Sequence, residues 1–569
     1  MTTAPTTTDG PVSSDVGFPD VGFPDVGFPD VTVDGFWAQD RIHAPRPISP
    51  LAVQFITDTM AIGFNRAHQE YGAPLVMHTR AIGHYLFSAM RPLRDPAELQ
   101  VRAERYQHLD TILDEVGPRW EQQWKPALIE RVLQDRRADY RQLTNAELIE
   151  ELERQRLHMI DQWTIHGRIN FSVVAAARFA DFYTERFEPE DSTEAYQLLQ
   201  GFVTRSVDTS HQLWTLSRMV RAEPLLQRLF AERDNAEVLA ALRADDASVV
   251  FGRFLHAFEA YLDEFGWRSD AVYDVADVTW REDPTIPLDG LRGYIGVDDD
   301  HDPARSFHAA VARRAALLAA ARDHLAEDPD TLATFERYYE AASYNLPLTE
   351  DHAFWIDQSG VVNVRRFLLQ VGEALVADGC LAEPSDVFFL LREEVALALA
   401  HGGDWRSASV ARRRSVQAAA QADPPRVLGT PPPPAPGPVD PLFEAIAVRL
   451  AGRRPPAEGR PADPDILTGL AASPGIVTGT ARVVRSLAEA STLNEGDIMV
   501  CEMTLPPWVP LFALAAAVVS DTGGVMSHCA IVAREFGLPA VVGTQVGTRT
   551  IRNGMTITVD GNRGVVLLG

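Results

Sequence analysis

One histidine stands in a segment that favours phosphoryl chemistry. His528 lies in Asp521-Thr-Gly-Gly-Val-Met-Ser-His-Cys-Ala530, where an apolar run has ended, two glycines follow and a helical pattern begins. Gly523 and Gly524 allow a bulky group to approach the backbone closely. The unpaired N–H groups and the dipole of a first helical turn favour an anion there. A neutral imidazole is a nucleophile near pH 7, so His528 could accept a phosphoryl group and pass it on.

The neighbours of His528 are the candidate phosphate ligands. We predict that the phosphoryl group is bound by Thr522, Gly523, Gly524 and Ser527. Ser527 can also cap the helix that begins at the histidine. Without a wider pattern, the alternative is a histidine that only caps the helix or packs in the core.

The residues around this segment, 466–569, predict a compact α/β module. One helix is expected from about Ser527 to Phe536, because Gly537 and Pro539 are typical of a helix end. Short strand patterns separated by turns occur at Gly479–Arg485, Asp497–Cys501, Ala517–Ser520, Ala540–Gly543 and Met555–Asp560.

Residues 35–420 have the periodicity of helices, with apolar residues three and four positions apart and charges between them. The clearest patterns run over about 145–187, 192–230, 247–265, 304–342 and 362–378. We therefore predict an α+β multidomain protein. It has a large, mainly α-helical domain and a small C-terminal α/β domain.

Two stretches have the composition of connecting segments. Residues 1–34 contain Val-Gly-Phe-Pro-Asp three times in tandem, and Gly and Pro at that spacing forbid a helix. We predict a disordered tail there, with a docking peptide as the alternative. Residues 421–465 are rich in proline and predict a semi-rigid linker, interrupted by a short helix at about 440–452.

The composition narrows the range of partners. A net charge of −27 argues against nucleic acid and against an anionic membrane, since both would be repelled. No apolar run reaches the roughly 18 residues of a membrane helix, and no signal pattern begins the sequence. Cys380, Cys501 and Cys529 lack metal-ligand spacing. We expect a cytoplasmic protein and predict no metal site.

Lys125 is the single lysine of the chain. ATP-binding folds commonly place a lysine on the nucleotide phosphates. Lys125 stands in Trp-Lys-Pro with no glycine-rich loop nearby. An ATP site within this chain is therefore not expected.

Several landmarks of the C-terminal part resemble the mobile domain of the phosphoenolpyruvate-utilising enzyme family. Besides the His528 segment they are Ala472-Ser-Pro-Gly-Ile-Val-Thr-Gly479, Gly496-Asp-Ile-Met-Val500, Pro507-Trp-Val-Pro-Leu-Phe512 and Val559-Asp-Gly561. The resemblance implies a phosphohistidine swivelling domain at 466–569, with His528 as the carrier. Met526 stands where phosphoenolpyruvate synthases usually have threonine. A hydrophobic residue there is more similar to rifampin (rifampicin) phosphotransferase and phenylphosphate synthase, which phosphorylate hydroxyl groups.

Landmarks of the helical part resemble the acceptor-binding domain of those two enzymes. They are Phe36–Pro50, Phe265-Gly-Trp-Arg-Ser269, Trp280-Arg-Glu-Asp-Pro284, Leu348–Asp357 and Asp386-Val-Phe-Phe-Leu390. The resemblance implies that residues 35–420 bind the acceptor. Trp267 stands where the family often has histidine, which suggests a flatter or more apolar acceptor.

The candidate acceptor-site residues are polar groups within these landmarks. His352 is the first candidate for the base that assists the hydroxyl, with a carboxylate of Glu350 or Asp351 orienting its ring. Arg268 is predicted to hold phosphoryl oxygens. His43 and His166 are further candidates. For each of them a surface or structural role is the alternative.

The resemblance also implies where ATP is used. A pyruvate-binding barrel and an ATP-grasp domain are not recognised in the sequence, and phenylphosphate synthase keeps its nucleotide part on a separate subunit. We therefore expect ATP and Mg²⁺ on a partner ATP-grasp subunit and a small-molecule hydroxyl acceptor on this chain. The alternatives are phosphorylation that activates a hydroxyl for elimination or carboxylation, a non-catalytic phosphocarrier or regulatory protein, and a scaffold.

Overall fold

The computed structural model describes most of the chain. It covers residues 35–41, 43–244, 248–269, 272–422, 424–430, 439–452, 465–485, 489, 492–504 and 508–569. The predicted disordered tail at 1–34 and the proline-rich runs in 431–438 and 453–464 lie outside the described residues.

Helices dominate the first 420 residues, in agreement with the expected fold class. The α-helices are α1 (Pro50–Ala52), α2 (Asp58–Tyr71), α3 (Pro96–Tyr106), α4 (Leu109–Arg119), α5 (Lys125–Arg137), α6 (Asn145–Ile169), α7 (Phe171–Phe187), α8 (Glu194–Gln197), α9 (Arg205–Ala222), α10 (Pro224–Glu232), α11 (Asn235–Leu242), α12 (Val249–Phe265), α13 (Thr285–Ile295), α14 (Pro303–His324), α15 (Pro329–Ser343), α16 (Asn345–His352), α17 (Ser359–Ala377), α18 (Arg392–His401) and α19 (Arg406–Ala419). Turns of π-helix cover Val53–Thr57, Trp120–Trp124 and Ala353–Gln358, and 3₁₀ turns cover Tyr140–Gln142, Asp299–His301 and Pro384–Phe389. Among the described residues, no helix is both long enough and apolar enough to cross a membrane.

Local sequence explains how the longest helix is set in place. Thr144 and Glu147 form a capping box that starts α6, since each side chain accepts a hydrogen bond from the other's backbone N–H. The single long pattern predicted over 145–187 is two helices, because α6 ends at Ile169 and α7 begins at Phe171. Helix α2 packs closely against α6, where a Cβ on Gly63 would lie 2.4 Å from the Cβ of Trp163.

A small antiparallel sheet was not predicted from the sequence. Its strands β1 (Trp37–Gln39), β2 (Leu75–Ile82), β3 (Tyr85–Pro92) and β4 (Val427–Leu428) lie in the order β2-β3-β1-β4. Gly83 and His84 connect β2 to β3, and both have positive φ, as a tight hairpin turn requires. Gly-His is a weak turn signal, and β2 alternates poorly between polar and apolar residues, so the pattern was easily missed.

The C-terminal part is built on a larger mixed sheet. Its strands are β5 (Ile466–Thr468), β6 (Leu470–Ser473), β7 (Ile476–Val484), β8 (Ile498–Cys501), β9 (Ala517–Ser520), β10 (Ala540–Val542), β11 (Thr556–Asp560) and β12 (Val565–Leu568), in the order β5-β12-β11-β7-β8-β9-β10-β6. The helices here are α20 (Pro441–Glu444), continued by a π-helical turn at Ala445–Leu450, then α21 (Val509–Phe512), α22 (His528–Phe536) and α23 (Gly547–Thr550).

Parallel strands in the middle of this sheet position His528. Strands β7, β8, β9 and β10 are adjacent in this order, and each pair among them is parallel. The chain leaves β9 at Ser520, crosses through α22 and returns as β10, which is a βαβ unit. His528 begins α22 and therefore stands at the carboxyl end of the parallel strands, where α/β sheets commonly bind ligands.

The two faces of the sheet belong to different apolar cores. One face forms a core of its own around Val500, Val519 and Val559. The residues on the other side, including Phe512 and Met526, belong to the same buried cluster as the core of the helical part. The C-terminal part is therefore docked on the helices by apolar burial.

The linker helix, which is α20 together with the π-helical turn that continues it to Leu450, covers the two glycines before His528. Gly524 N–H donates to the carbonyl of Leu450 (2.8 Å), and Met526 N–H donates to the carbonyl of Arg449 (2.9 Å). The Arg449 guanidinium also binds Asp181 of α7 at 2.8 Å. The segment between the two parts of the chain thus contacts both of them.

This close approach depends on the absence of a side chain at residue 524. A Cβ at Gly524 would lie 2.2 Å from the carbonyl oxygen of Arg449. We expect Gly524→Ala to lower the free energy of unfolding by about 1–3 kcal/mol, because backbone has to move. Gly252→Ala is the control, since a Cβ there meets no atom within 4 Å. It should be neutral or stabilising by about 1 kcal/mol. Denaturant unfolding measures both, and equal stability of the two variants would contradict the described contact.

Candidate functional site

His528 reaches from its own domain into the helical part. Its Nδ1 lies 3.0 Å from Oε1 of Glu350, and its side chain is 14% exposed. Nε2 is buried and has no hydrogen-bond partner among the described residues. Ser527 caps α22 as predicted, because its hydroxyl accepts from the N–H of Ala530. The contact with Glu350 is a polar link between the two parts of the chain.

Glu350 is a buried carboxylate that is held in its charged form. Burial acts to raise the pKa of the Glu350 carboxyl, but the charge and hydrogen bond of His528, with the hydroxyl of Ser206, outweigh burial and leave the pKa below its ordinary value. An ionised carboxylate only accepts hydrogen bonds, so Nδ1 of His528 must carry the proton. In the neutral ring the lone pair is then on Nε2, the free nitrogen.

Arg268 supplies positive charge close to this pair. Its side chain is 1% exposed, and Nη2 donates to Thr209 at 3.3 Å. Its Nε and Nη1 are buried without a hydrogen-bond partner in the described part of the chain, and its guanidinium lies 5.0 Å from the ring of Phe354. Burial lowers the pKa of Arg268 to about 10, which leaves the group cationic at neutral pH, and the charge of Glu350 acts on it in the opposite direction. Arg268 therefore offers unused donors suited to an anion.

The carboxylates next to His352 in sequence do not orient its ring. Asp351 binds Lys125 Nζ at 2.7 Å and accepts from the N–H of Arg205, whereas Glu350 faces His528. The carboxylate that lies beside His352 is Asp357, five residues later. The expected orientation by Glu350 or Asp351 is wrong, because helical geometry turns adjacent residues to different faces.

His352 belongs to a second polar cluster with Asp357 and two other candidate residues, His166 and His43. His352 Nδ1 donates to the carbonyl of Leu348 (3.0 Å), and its Nε2 lies 3.6 Å from Asp357 Oδ2. His166 Nδ1 lies 3.3 Å from Asp357 Oδ1. Burial, followed by the charge of His166, lowers the pKa of His352 to about 4. His166, His352 and Asp357 are the described residues whose ligand atoms could hold a metal ion, since these atoms lie within 4.8 Å of one another.

His43 lies at the edge of this cluster. Its Nδ1 is 3.0 Å from Asp40 Oδ2, and its ring stacks on Tyr273 at 4.8 Å. Burial acts to lower the pKa of His43, but the charge and hydrogen bond of Asp40 outweigh burial and raise it. The candidates His43, His166 and His352 are therefore brought together around Asp357, while His528 pairs with Glu350.

The predicted phosphate ligands contact other groups in the docked protein. Thr522 donates through both its N–H (2.9 Å) and its hydroxyl (3.0 Å) to the carbonyl of Glu502. The N–H of Gly524 is taken by Leu450, and Gly523 has a φ of +95°. Binding of a phosphoryl group by Thr522, Gly523, Gly524 and Ser527 stays a prediction.

A cavity beside Glu350 runs between the two parts of the chain. Helices α9 and α14 form one wall, and the face of α22 with Ile531, Val532 and Glu535 forms the other. Ser206, Ser210 and Glu350 supply polar groups in largely apolar walls. Sequence reasoning missed Ser206, Asp357 and Glu535. Only Glu535 carried a signal, because it shares a helix face with His528 seven residues earlier.

Glu535 is a buried carboxyl at this domain boundary. Its Oε1 accepts from the N–H of Gly201 at 2.8 Å, and its Oε2 has no partner among the described residues. Burial raises the pKa of Glu535 to about 7. The charge of Glu350 adds to this effect, while the hydrogen bond from Gly201 and the charges of Arg534 and Arg314 oppose it.

Two segments of the chain match models of known families. Residues 165–350 match the fourth domain of rifampicin phosphotransferase, and residues 493–564 match the mobile domain of PEP-utilising enzymes. Glu350 ends the first match and His528 lies within the second, so their hydrogen bond joins the two matched segments.

Relatives of known sequence cover different shares of the chain. It is 32% identical over 548 residues to chondramide synthase cmdD of Chondromyces crocatus, which is 94% of this chain and 14% of that protein. It is 27% identical over 538 residues to the uncharacterized phosphotransferase YvkC of Bacillus subtilis (strain 168), which is 94% of this chain and 62% of YvkC. It is 35% identical over 321 residues to a rifampicin phosphotransferase of Streptomyces sp., which is 55% of this chain and 34% of that protein. The chain thus spans less than two thirds of each of these relatives.

The raised pKa of Glu535 makes stability depend on pH. The folded protein keeps this proton up to about pH 7, whereas the carboxyl ordinarily releases it near 4.5. The contribution of this carboxyl to the free energy of unfolding is therefore fully present below pH 4.5. It is lost as the pH rises to 7, and the loss is about 3 kcal/mol at most. Glu535→Gln should remove this loss, so the variant should be more stable than the parent at pH 8 and equal to it at pH 4.

Denaturant unfolding at the two pH values measures this difference. Glu327→Gln, a change at an exposed carboxyl, is the control and should follow the parent at both. A Glu535→Gln variant no more stable than the parent at pH 8 would show that the carboxyl is not held protonated.

Proposed function

We propose that this chain, which belongs to the phosphotransferases of the phosphoenolpyruvate-utilising enzyme family, carries a phosphoryl group on His528 and delivers it to a hydroxyl group of a small organic acceptor. One observation carries the proposal. The hydrogen bond from Nδ1 of His528 to the buried carboxylate of Glu350 leaves Nε2 as a nitrogen with a free lone pair. A phosphoryl carrier needs such a nucleophile.

The first step loads the carrier. Nε2 attacks a phosphorus of ATP, the P–Nε2 bond forms, and the P–O bond to the leaving part of the nucleotide breaks. Mg²⁺ would neutralise the phosphate oxygens. We place ATP and Mg²⁺ on a partner ATP-grasp subunit. The position of Lys125 supports this division, because the chain's only lysine is engaged with Asp351 and Glu121.

The second step transfers the group to the acceptor. The acceptor oxygen attacks phosphorus, the P–Nε2 bond breaks, and its electron pair returns to Nε2. The hydroxyl proton passes to a phosphoryl oxygen, which has a second pKa near 6. Glu350 holds the Nδ1 proton throughout, and Arg268 offsets the negative charge that the phosphoryl group brings beside Glu350. This route needs no base at His352.

We expect a small acceptor with apolar surface at the cavity beside Glu350, which holds about 30 Å³ when the two parts are docked and must widen to admit it. Its walls come from α9, α14 and α22, and hydroxyl groups of Ser206 and Ser210 lie among apolar side chains. A site between two domains can exclude water during transfer, which protects the phosphohistidine from hydrolysis.

A second candidate function is activation of a hydroxyl within a biosynthetic sequence. The observation that favours it is the 32% identity to chondramide synthase over 94% of this chain. In that case the phosphorylated compound is an intermediate, and inorganic phosphate leaves in a later step. Release of phosphate together with a dephosphorylated product distinguishes this function from simple phosphorylation.

Intact-mass analysis tests the carrier directly. With ATP, Mg²⁺ and a candidate ATP-grasp protein, we expect one acid-labile phosphoryl adduct on the chain, because phosphohistidine forms at Nε2. His528→Ala should lose the adduct completely, while His401→Ala, a change at an exposed histidine, should keep it. An adduct on His528→Ala would refute the carrier. An adduct that forms without the partner would refute only the separate ATP subunit.

Glu350→Gln tests how the ring of His528 is held. With phosphorus on Nε2 the ring has no second tautomer, but a neutral amide stabilises the protonated Nδ1 less than a carboxylate does, so the ring leaves phosphorus less readily. We expect the rate of phosphoryl transfer from the loaded carrier to fall by about 10²-fold or more, by analogy with other orienting carboxylates. The maximum extent of loading should change little, since ATP binds elsewhere. Rapid-quench measurement of both steps checks this, and an unchanged transfer rate would exclude the role of Glu350.

A further inference from the structure

We propose that His166, His352 and Asp357 bind one divalent transition-metal ion inside the helical part of the chain. Two imidazoles and one carboxylate form the cluster; His166 and Asp357 are buried, and the side chain of His352 is 12% exposed. This donor set suits metals such as Zn²⁺, Co²⁺, Fe²⁺ and Mn²⁺. The proposal does not rest on the function of His528.

The spacing of the ligand atoms fits a shared ion. His166 Nδ1 lies 3.3 Å from Asp357 Oδ1, and His352 Nε2 lies 3.6 Å from Asp357 Oδ2. With metal–ligand distances of about 2.0–2.2 Å, neighbouring ligands are about 3.0–3.5 Å apart in tetrahedral or octahedral geometry. With one ligand atom from each residue, the three atoms lie within 4.8 Å of one another, so side-chain adjustments would bring them around an ion at the centre of the cluster.

The hydrogen bonds around the cluster leave lone pairs directed at one another. His352 donates its Nδ1 proton to the carbonyl of Leu348, so Nε2 of the neutral ring presents a lone pair to Asp357. His166 Nδ1 and Asp357 Oδ1 are both buried and lack a hydrogen bond of good geometry, although they are close. Buried polar atoms without partners are rare, and binding of an ion between them is one of the known causes.

A local change of helix geometry creates this alignment. Residues five apart in an α-helix point in different directions, because a turn takes 3.6 residues. The π-helical turn at Ala353–Gln358 has wider turns with i→i+5 hydrogen bonds, so His352 and Asp357 come to one side. Such turns inside helices occur frequently at functional sites. Here the turn places the carboxylate opposite the two imidazoles.

The surroundings would help to hold the ion. The ring of His166 packs between Phe64 (5.0 Å) and Trp163 (5.4 Å), so it is fixed in orientation. His43 is close enough for its charge to act on both Asp357 and His352. Three protein ligands leave at least one coordination position open for water or an oxygen of a bound molecule.

Co²⁺ titration of the tag-free full-length chain tests the proposal. After treatment with a chelator, the protein should bind one equivalent of Co²⁺ with visible d–d absorption, and metal analysis after desalting should give one ion per chain. Asp357→Asn and His352→Gln should each weaken binding by about 100-fold or more, because both change a direct ligand. His401→Ala, a change at an exposed histidine, should bind as the parent does.

The outcomes separate the site from other sources of binding. Circular dichroism and thermal unfolding show whether each variant is folded, and Asp357→Asn preserves the size of the side chain. Absence of stoichiometric binding to the parent would overturn the proposal, as would equal binding by parent and folded Asp357→Asn. His528→Ala should bind Co²⁺ normally, so the metal site can succeed or fail independently of the phosphoryl carrier.

Discussion

The hydrogen bond between His528 and Glu350 is the contact on which the proposed chemistry depends. It joins the first residue of α22 to a buried carboxylate of the helical part. A charge buried at an interface is tolerated only when it is paired, and here His528, Ser206 and the nearby Arg268 supply the compensation. The apolar face of the C-terminal sheet and the linker helix bring the histidine to this one position.

The docked interface combines strong and weak elements. Apolar burial joins the sheet face to the helical core, and Arg449 of the linker helix reaches Asp181. Glu535 accepts a hydrogen bond from Gly201 across the interface, but its other carboxyl oxygen is buried without a partner among the described residues. On the proposed function the C-terminal part leaves this position to be loaded, and an interface that is specific but incompletely satisfied favours such a movement.

Sequence patterns predicted much of this architecture, and the limits of that prediction have physical causes. The strand and helix around His528 were predicted within one or two residues, because Gly537 and the short apolar runs are local signals. The Glu350–His528 pair was not predicted, because its members are 178 positions apart and meet only through docking. Asp357 was missed for a different reason. Its alignment with His352 depends on a π-helical turn that periodicity at 3.6 residues does not reveal.

The hydrogen bonds between carbonyls of the linker helix and amides of the loop before His528 have a thermodynamic consequence. Leu450 and Arg449 accept hydrogen bonds from the amides of Gly524 and Met526, which are donors that an anion would also seek. If a phosphoryl group on His528 recruits those amides, it competes with the linker for them. Thermodynamic linkage then requires that phosphorylation promotes release of the linker by the same free energy by which release of the linker promotes phosphorylation. The covalent state of one side chain would thus set the population of docked and undocked conformers.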